Sequence, residues 1–318
     1  MSLLRDHNNI CGRPVAIASI SFTPDMHTLD EIAQWVDRAG STGVDLIALP
    51  ETFRTQNGTP ETLDGATVTV MADLARKHHA YIVCPIDRAV GDRRLNTAVL
   101  LDRSGQIAML YDKVYPYWSE FDLESAVQPA WTSPMVYEAD FGRIGLAICF
   151  DVNFPSVWQV LADQGAELVI WPSAYSAGRS LQAHAINHHY YIVSSTHNRD
   201  CLVYDITGEK LEYEYNEPVN VTYVTLDLDR GIYHENFNLD KRDQLLVEHG
   251  EDIALEQTLR LEQWFVLRAK RQGISARELA ASYGLEELRD YKARSQQAID
   301  KMRTVALANA SIDDTVQA

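Results

Sequence analysis

Three short stretches hold side chains that could act together on an electrophilic carbon: "LIALPETF" with Glu51, "YDKVYPYWSEF" with Lys113 and "GLAICFDVNFP" with Cys149. Taken singly, each has an ordinary structural reading. A free cysteine in an apolar run behaves as a small buried hydrophobe, and a glutamate or lysine past a strand is usually a solvated charge. Taken together they make a reactive set. A carboxylate can take the thiol proton and later give it to a leaving amine. An ammonium can stabilise the oxyanion that forms when sulfur attacks a carbonyl or nitrile carbon.

Flanking elements must bring these groups together. Gly145 to Phe150 reads as a buried strand, and Pro155 to Gly165 as a helix with proline in its first turn and glycine past its end. Cys149 is thus expected at a strand-to-helix turn, where the positive end of the helix dipole favours a thiolate and a loop leaves sulfur open to substrate. With this strand included, as Ile144 to Cys149, strands are expected at Val15 to Ile20, Val44 to Leu49, Ala80 to Ile86, Thr97 to Leu101, Leu168 to Trp171, Tyr190 to Ser194, Cys201 to Asp205 and Val221 to Leu226. Thr28-Leu-Asp-Glu31 is a capping-box pattern opening a helix towards Gly40. Helical segments between several of these strands indicate an α/β class.

One pattern occurs twice: Gly43-Val-Asp-Leu-Ile-Ala-Leu-Pro50 and Gly165-Ala-Glu-Leu-Val-Ile-Trp-Pro172. It suggests two similar halves, with two sheets face to face and helices outside, although helix-Gly-strand is also common in α/β chains generally. From about Asn236 the character changes to charged, helix-forming sequence without strand runs. Glu251 to Gln272 carries leucines, Trp264 and Phe265, and Ser275-Ala-Arg-Glu278 is a second capping box. "GISARELAASYGLEEL" has the look of a helix-turn-helix, but residues 251–318 hold 10 basic against 11 acidic residues, without the electrostatic footprint of a DNA reader. Packing on the body or on another subunit is the expectation, with Asn309 to Ala318 frayed.

The 318 residues carry a formal charge of −17, which disfavours nucleic-acid or anionic-membrane partners. Cys11, Cys84, Cys149 and Cys201 show no CxxC pairing and fit free thiols in a reducing compartment. No run approaches the roughly 18 apolar residues of a spanning helix, and Met1 to Asn9 has no apolar core. A soluble, cytoplasmic protein is expected.

Set in "LPETF", "DKVYPYW" and "GLAICFDVNFP", the order Glu51, Lys113, Cys149 resembles the nitrilase superfamily of carbon-nitrogen hydrolases, over roughly Val15 to Leu226. The resemblance implies a four-layer αββα sandwich at residues 12–235, leaving a C-terminal helical extension at 236–318. It implies a Glu-Lys-Cys triad without metal or cofactor, and a homodimer or higher homo-oligomer. Carried over by position, Glu51 is general base then acid, Cys149 the nucleophile, and Lys113 the oxyanion stabiliser assisted by the backbone N–H of Phe150. Relatives often add a glutamate between the lysine and the cysteine. Glu120 in "YWSEF" is the candidate and Glu124 the alternative, since Pro129-Ala130 stands where Pro-Gly usually sets the spacing. The loop Ser173 to Arg179 resembles a substrate-contacting loop, with Arg179 to hold a carboxylate and Tyr175 and Trp118 to wall the pocket. Trp118 and Tyr117 could equally pack on the core.

The residues after the cysteine narrow the reaction. Nitrilases proper usually continue Cys-Trp-Glu, whereas Cys149-Phe-Asp151 resembles the amidase and ureido-acid branches, so a small amide or N-carbamoyl (ureido) substrate is expected. Asp151 is expected to cap the turn. Carbamoyl-D-amino-acid hydrolases commonly place arginines where Val152 and Asn153 stand, so that class loses support. His184 and Asn187 replace a usual arginine and glutamate. His184 and His188, four apart on an expected helix, have a spacing that could grip a metal, but no third ligand is evident and a buried hydrogen-bonding role serves as well. Nitrile hydrolysis by the same triad, a metal-dependent hydrolase and a non-catalytic scaffold are the competing readings.

Overall fold

Strand β1 (Pro14–Phe22) turns Val15, Ile17, Ser19 and Ser21 to one face and Ala18, Ile20 and Phe22 to the other, and all seven are buried. A strand of this kind is covered on both sides. The computed structural model describes residues 11–54, 59–120, 123–127 and 135–316. The first nine residues and the Pro129-Ala130 step lie outside them.

The chain divides into two units, one ending at Leu228 and one beginning at Asp229. In the first, β1 is joined by β2 (Leu46–Ala48), β3 (Tyr81–Val90), β4 (Arg93–Leu101), β5 (Ile107–Asp112) and β12 (Val219–Asp227) in a sheet ordered β12-β1-β2-β3-β4-β5. A second sheet runs β11-β10-β9-β8-β7-β6, from β6 (Val136–Ala139), β7 (Gly142–Leu146), β8 (Leu168–Ser173), β9 (Tyr191–Thr196), β10 (Asp200–Tyr204) and β11 (Lys210–Tyr215). Both have the same plan: three central parallel strands (β1-β2-β3 and β7-β8-β9) with antiparallel neighbours outside them.

The repeated sequence pattern has a physical basis in this plan. β2 and β8 occupy the same place in their sheets. The carboxylate of Asp45 accepts the N–H of Ala16 at 2.9 Å and that of Glu167 the N–H of Arg143 at 3.0 Å, each clasping the neighbouring parallel strand. Gly43 and Gly165 both sit at φ +80°, the left-handed turn that releases the chain from the preceding helix.

Helices α1 (Leu29–Gly40) and α2 (Ala66–His78) cover the first sheet, Ile32, Val36, Val68 and Met71 packing with Ile20, Ile47, Ile82 and Val99. The capping box opens α1 as expected: Thr28 Oγ1 accepts the Glu31 N–H at 3.2 Å, and Glu31 Oε2 accepts the Thr28 N–H at 2.8 Å. Helices α4 (Pro155–Asp163) and α5 (Gly178–His188) follow β7 and β8; α3 (Leu123–Ala126) is a single turn. Between the sheets, small polar residues replace bulky ones. Ser19 Oγ donates to the Ser194 carbonyl at 2.7 Å, Ser195 Oγ to the Ile20 carbonyl at 2.8 Å, and the Thr196 N–H to Ser21 Oγ at 3.0 Å. These contacts set β1 directly against β9, completing the αββα layering.

The second unit corrects one expectation. Besides α6 (Leu239–His249), α7 (Ala276–Ser282) and α8 (Leu288–Val316), it contains an antiparallel sheet of β13 (Gly231–His234), β14 (Ile253–Leu259) and β15 (Trp264–Ala269), ordered β13-β15-β14. Glu, Leu, Gln and Arg between 251 and 272 are good helix formers, but tertiary burial of Phe265, Val266 and Leu267 on β15 outweighs that local preference. Ser275 does cap α7, accepting the Glu278 N–H at 3.1 Å. α8 runs through most of the tail expected to fray, because no glycine or proline follows Gly284 to stop it. Among the described residues, no helix is long and apolar enough to cross a membrane.

Ser195→Ala removes a buried bond between the sheets without adding bulk. The expected loss is about 1 kcal/mol of unfolding free energy, measured by urea denaturation.

Candidate active site

The parallel strands of both sheets deliver their C-terminal ends to one place, the part of an open α/β sheet where ligands ordinarily bind. Glu51 follows β2. Thr52, next to it, stands at φ +29°, strained for a β-branched residue. The strain is held from the opposite sheet: His197, just past β9, places Nε2 2.5 Å from the Glu51 carbonyl. Since that oxygen can only accept, Nε2 carries the proton. Burial lowers the His197 pKa, which keeps the ring neutral.

Cys149 follows β7 and opens a 3-10 turn (Cys149–Asn153) before α4, with its own φ at +44°. Three turn carbonyls are tied by aromatic donors: Trp171 Nε1 to Cys149 at 3.2 Å, Trp158 Nε1 to Asp151 at 3.0 Å, and His184 Nε2 to Val152 at 2.8 Å. The Asp151 side chain ties the turn to its surroundings, accepting the N–H of Ile148 at 3.0 Å and of Tyr115 at 2.8 Å and the Tyr111 hydroxyl at 2.7 Å. Burial raises its carboxyl to about 6 against those hydrogen bonds. Asp151 therefore holds the turn.

Lys113 follows β5, and its buried Nζ donates to Glu51 Oε1 at 2.8 Å and to Glu120 Oε2 at 2.5 Å. Burial favours the neutral amine, but the carboxylates of Glu51 and Glu120 outweigh it and hold the Lys113 pKa well above its usual value. Burial likewise pushes the Glu51 carboxyl up, while the charge and hydrogen bond of Lys113, with a smaller contribution from the neighbouring Cys149 thiol, bring it below the ordinary carboxylate range. An ammonium facing a carboxylate is the resting state.

The thiol departs from expectation. Burial and the negative charge of Glu51 push it far up, and Lys113 with hydrogen bonds from the Ala174 N–H and Ser173 does not reverse this. The helix-end effect expected to yield a thiolate is outweighed, and Cys149 is 6% exposed, not open. At rest the pair is neutral thiol and Glu51 carboxylate, so sulfur becomes nucleophilic only as its proton passes to the carboxylate.

Of the two glutamates considered between lysine and cysteine, Glu120 reaches Lys113, and its Oε2 also accepts the Tyr117 N–H at 3.0 Å; Glu124 is exposed on α3. Phe150 lies in the 3-10 turn, its ring 5.4 Å from that of Tyr117. Tyr175 packs edge-on against Trp171 at 5.7 Å; burial raises its hydroxyl pKa, and the charges of Lys113 and Glu51 also reach it. Trp118 is 81% exposed, and Arg179 is exposed in the first turn of α5. The His184 and His188 rings lie 6.2 Å apart, with His184 stacked at 4.2 Å on Trp158. Among the described residues, no three His, Cys, Asp or Glu side chains gather to hold a metal ion.

Two members of this cluster were not anticipated. Asn96 in β4 donates to Glu51 Oε1 at 2.7 Å and Glu120 Oε1 at 2.6 Å; an asparagine inside the run "LNTAVLL" was the available signal, since strands disfavour it. His197 in "SSTHN" closes a strand but belongs to no motif.

Comparison with known proteins identifies the family. The family model described as carbon-nitrogen hydrolase matches residues 15–232. A deaminated glutathione amidase of Synechocystis is 29% identical over 214 residues, 57% of this chain and 77% of that protein. A beta-ureidopropionase of Arabidopsis thaliana is 30% identical over 159 residues, 46% of this chain and 39% of that protein. The crystal structure of an amidase from Nesterenkonia sp. superimposes with a TM-score of 0.58 at 23% identity, covering 71% of this chain and 94% of that one, a likeness of fold.

Burial pushes the thiol up at Cys84 and, to about 12, at Cys201, as it does at Cys149, but of these three Cys149 is the one beside Glu51 and Lys113. Limiting iodoacetamide at neutral pH is expected to modify Cys149 ahead of Cys11, Cys84 and Cys201, and Glu51→Gln to slow that modification about 10²-fold. Peptide mass analysis reads both.

Proposed function

This chain belongs to the carbon-nitrogen hydrolase family, and from that premise we propose that it hydrolyses the carbon-nitrogen bond of a small amide or N-carbamoyl compound through a cysteine thioester. The observation that carries the reading is the meeting of the Glu51 carboxylate, Lys113 ammonium and Cys149 thiol, with Glu51 hydrogen-bonded to Lys113 and the thiol near enough to lower the Glu51 carboxyl.

In the first step Glu51 takes the thiol proton as sulfur adds to the carbonyl carbon. The carbonyl π electrons move to oxygen, and that oxyanion is stabilised by the Lys113 ammonium and the Phe150 N–H. Glu51 then gives its proton to the nitrogen, the carbon-nitrogen bond breaks, and ammonia or an amine leaves a thioester on Cys149. Water attacks the thioester with Glu51 again accepting a proton. Collapse of that second oxyanion releases the acid, and the proton returns to the thiolate. Glu120 fixes the position of Lys113 through the ion pair on its other side, and Tyr175 lines the approach to the sulfur.

Amide-type hydrolysis is favoured over nitrile hydrolysis by Cys149-Phe-Asp151 and by the amidase and ureidopropionase names of the relatives. An engaged His184, whose Nε2 meets the Val152 carbonyl, favours the thiol route over a metal-dependent one.

Ammonia release from a panel of aliphatic amides, ureido acids and nitriles tests the proposal. Wild-type protein is expected to release ammonia from an amide or ureido acid whether or not a chelator is present. Cys149→Ala is expected to abolish release with the fold retained. Release by that variant, or from nitriles alone, would overturn the reading.

A further inference from the structure

Two carboxylates, Glu51 and Glu120, share one ammonium in this site, and all three side chains are at most 13% exposed. Two like charges so enclosed would ordinarily drive one of them to protonate. The group between them is Asn96, itself buried, whose Nδ2 donates to Oε1 of each glutamate. With Lys113 donating to Glu51 Oε1 and Glu120 Oε2, the four side chains close a ring. Glu51 Oε2 takes neither of these donors.

Asn96 is costly where it stands. Its Oδ1 is buried without a hydrogen-bond partner among the described residues, a state that folding alone has no reason to keep. Its backbone is committed as well: it pairs with Asp87 on β3, and its carbonyl accepts the Lys113 N–H at 2.9 Å. A lysine or arginine here would also supply donors, but a second positive charge would make Glu51 a poorer base. An amide supplies two donors and no charge.

We infer that Asn96 is a positioning residue that orients Glu51 and Glu120 about Lys113 and holds Glu51 as a carboxylate still basic enough to take the thiol proton. The inference rests on the roles proposed above. The charged and titratable groups facing Glu51 are Lys113 beyond β5, Cys149 in the turn after β7, Tyr175 beyond β8 and His197 beyond β9; Glu120 faces it across the ring, and Asp87 on β3 faces Glu120. None of them except Lys113 offers Glu51 Oε1 a donor that replaces the amide.

Loss of a donor destabilises the carboxylate form, so Glu51 protonates at higher pH and the base is lost earlier as pH falls. The test follows the rate of Cys149 alkylation by iodoacetamide against pH in wild type, Asn96→Asp and Asn96→Ala, with near-UV circular dichroism at each pH. The acid limb is expected to move up by about one pH unit in both variants while the spectrum is unchanged. A folded variant whose limb coincides with wild type, at whatever plateau, overturns the inference. Asn96→Ser, which keeps one donor, carries the same test should the other two not fold. No substrate is needed, so the two ideas separate: preferential labelling of Cys149 with an unmoved limb removes only the role of Asn96, while labelling without preference for Cys149 removes the hydrolase reading and this inference with it.

Discussion

The buried contact between the Lys113 ammonium and the Glu51 carboxylate is the constraint around which this site is organised. Removing two charges from water costs more than their attraction returns unless further hydrogen bonds complete both shells. Here the shells are completed from several elements at once. Glu120 from the loop after Lys113 and Asn96 from β4 end on this pair, and the thiol after β7 lies beside it. Such a pair is poor evidence of stability for its own sake, and the candidate chemistry supplies a reason for it. A carboxylate kept ionised beside a thiol kept neutral is a base with a proton to take.

That arrangement needs strand ends from two sheets within hydrogen-bonding reach, which explains the unusual seam between them. Ser19, Ser21, Ser194 and Ser195 give up apolar bulk in the middle of the unit so that β1 and β9 lie close. Larger aliphatic residues would have gained burial at that seam, but would have moved His197 away from the Glu51 carbonyl. The turn at Cys149 shows the same economy. The turn that opens on this non-glycine residue at positive φ is held by Trp171, Trp158 and His184 on the carbonyls of Cys149, Asp151 and Val152 and by the Asp151 carboxylate on its entrance. The histidine whose helical spacing could have suited a metal is instead a donor to that turn.

The second unit is a separate physical problem. Its sheet buries Phe265, Val266 and Leu267 on a central strand, while α6, α7 and α8 are largely polar outside. Its own sheet and small core distinguish it from the helical tail that composition alone suggested.

Local chemistry made much of the first unit legible in the sequence. Alternation and apolar runs located nine strands, Thr28 and Glu31 announced α1, and Pro155 and Gly165 bounded α4, because each signal acts within a few residues of itself. The repeated Gly-x-acid pattern was visible too, though only the paired sheets show why the acid is there. Glu51, Lys113 and Cys149 could be picked out by residue type and by the order of their motifs. Strands β5, β6, β11 and those of the second unit were not legible, since short or charged strands take their stability from partners far along the chain. The protonation of the site was out of reach for the same reason. Burial and the charge of Glu51, 98 positions away, decide that the Cys149 thiol is neutral, and they outweigh both the Lys113 ammonium and the nearby helix end that the sequence displays. The choice of Glu120 over Glu124 and the presence of Asn96 and His197 likewise follow from distances that only the packed sheets create.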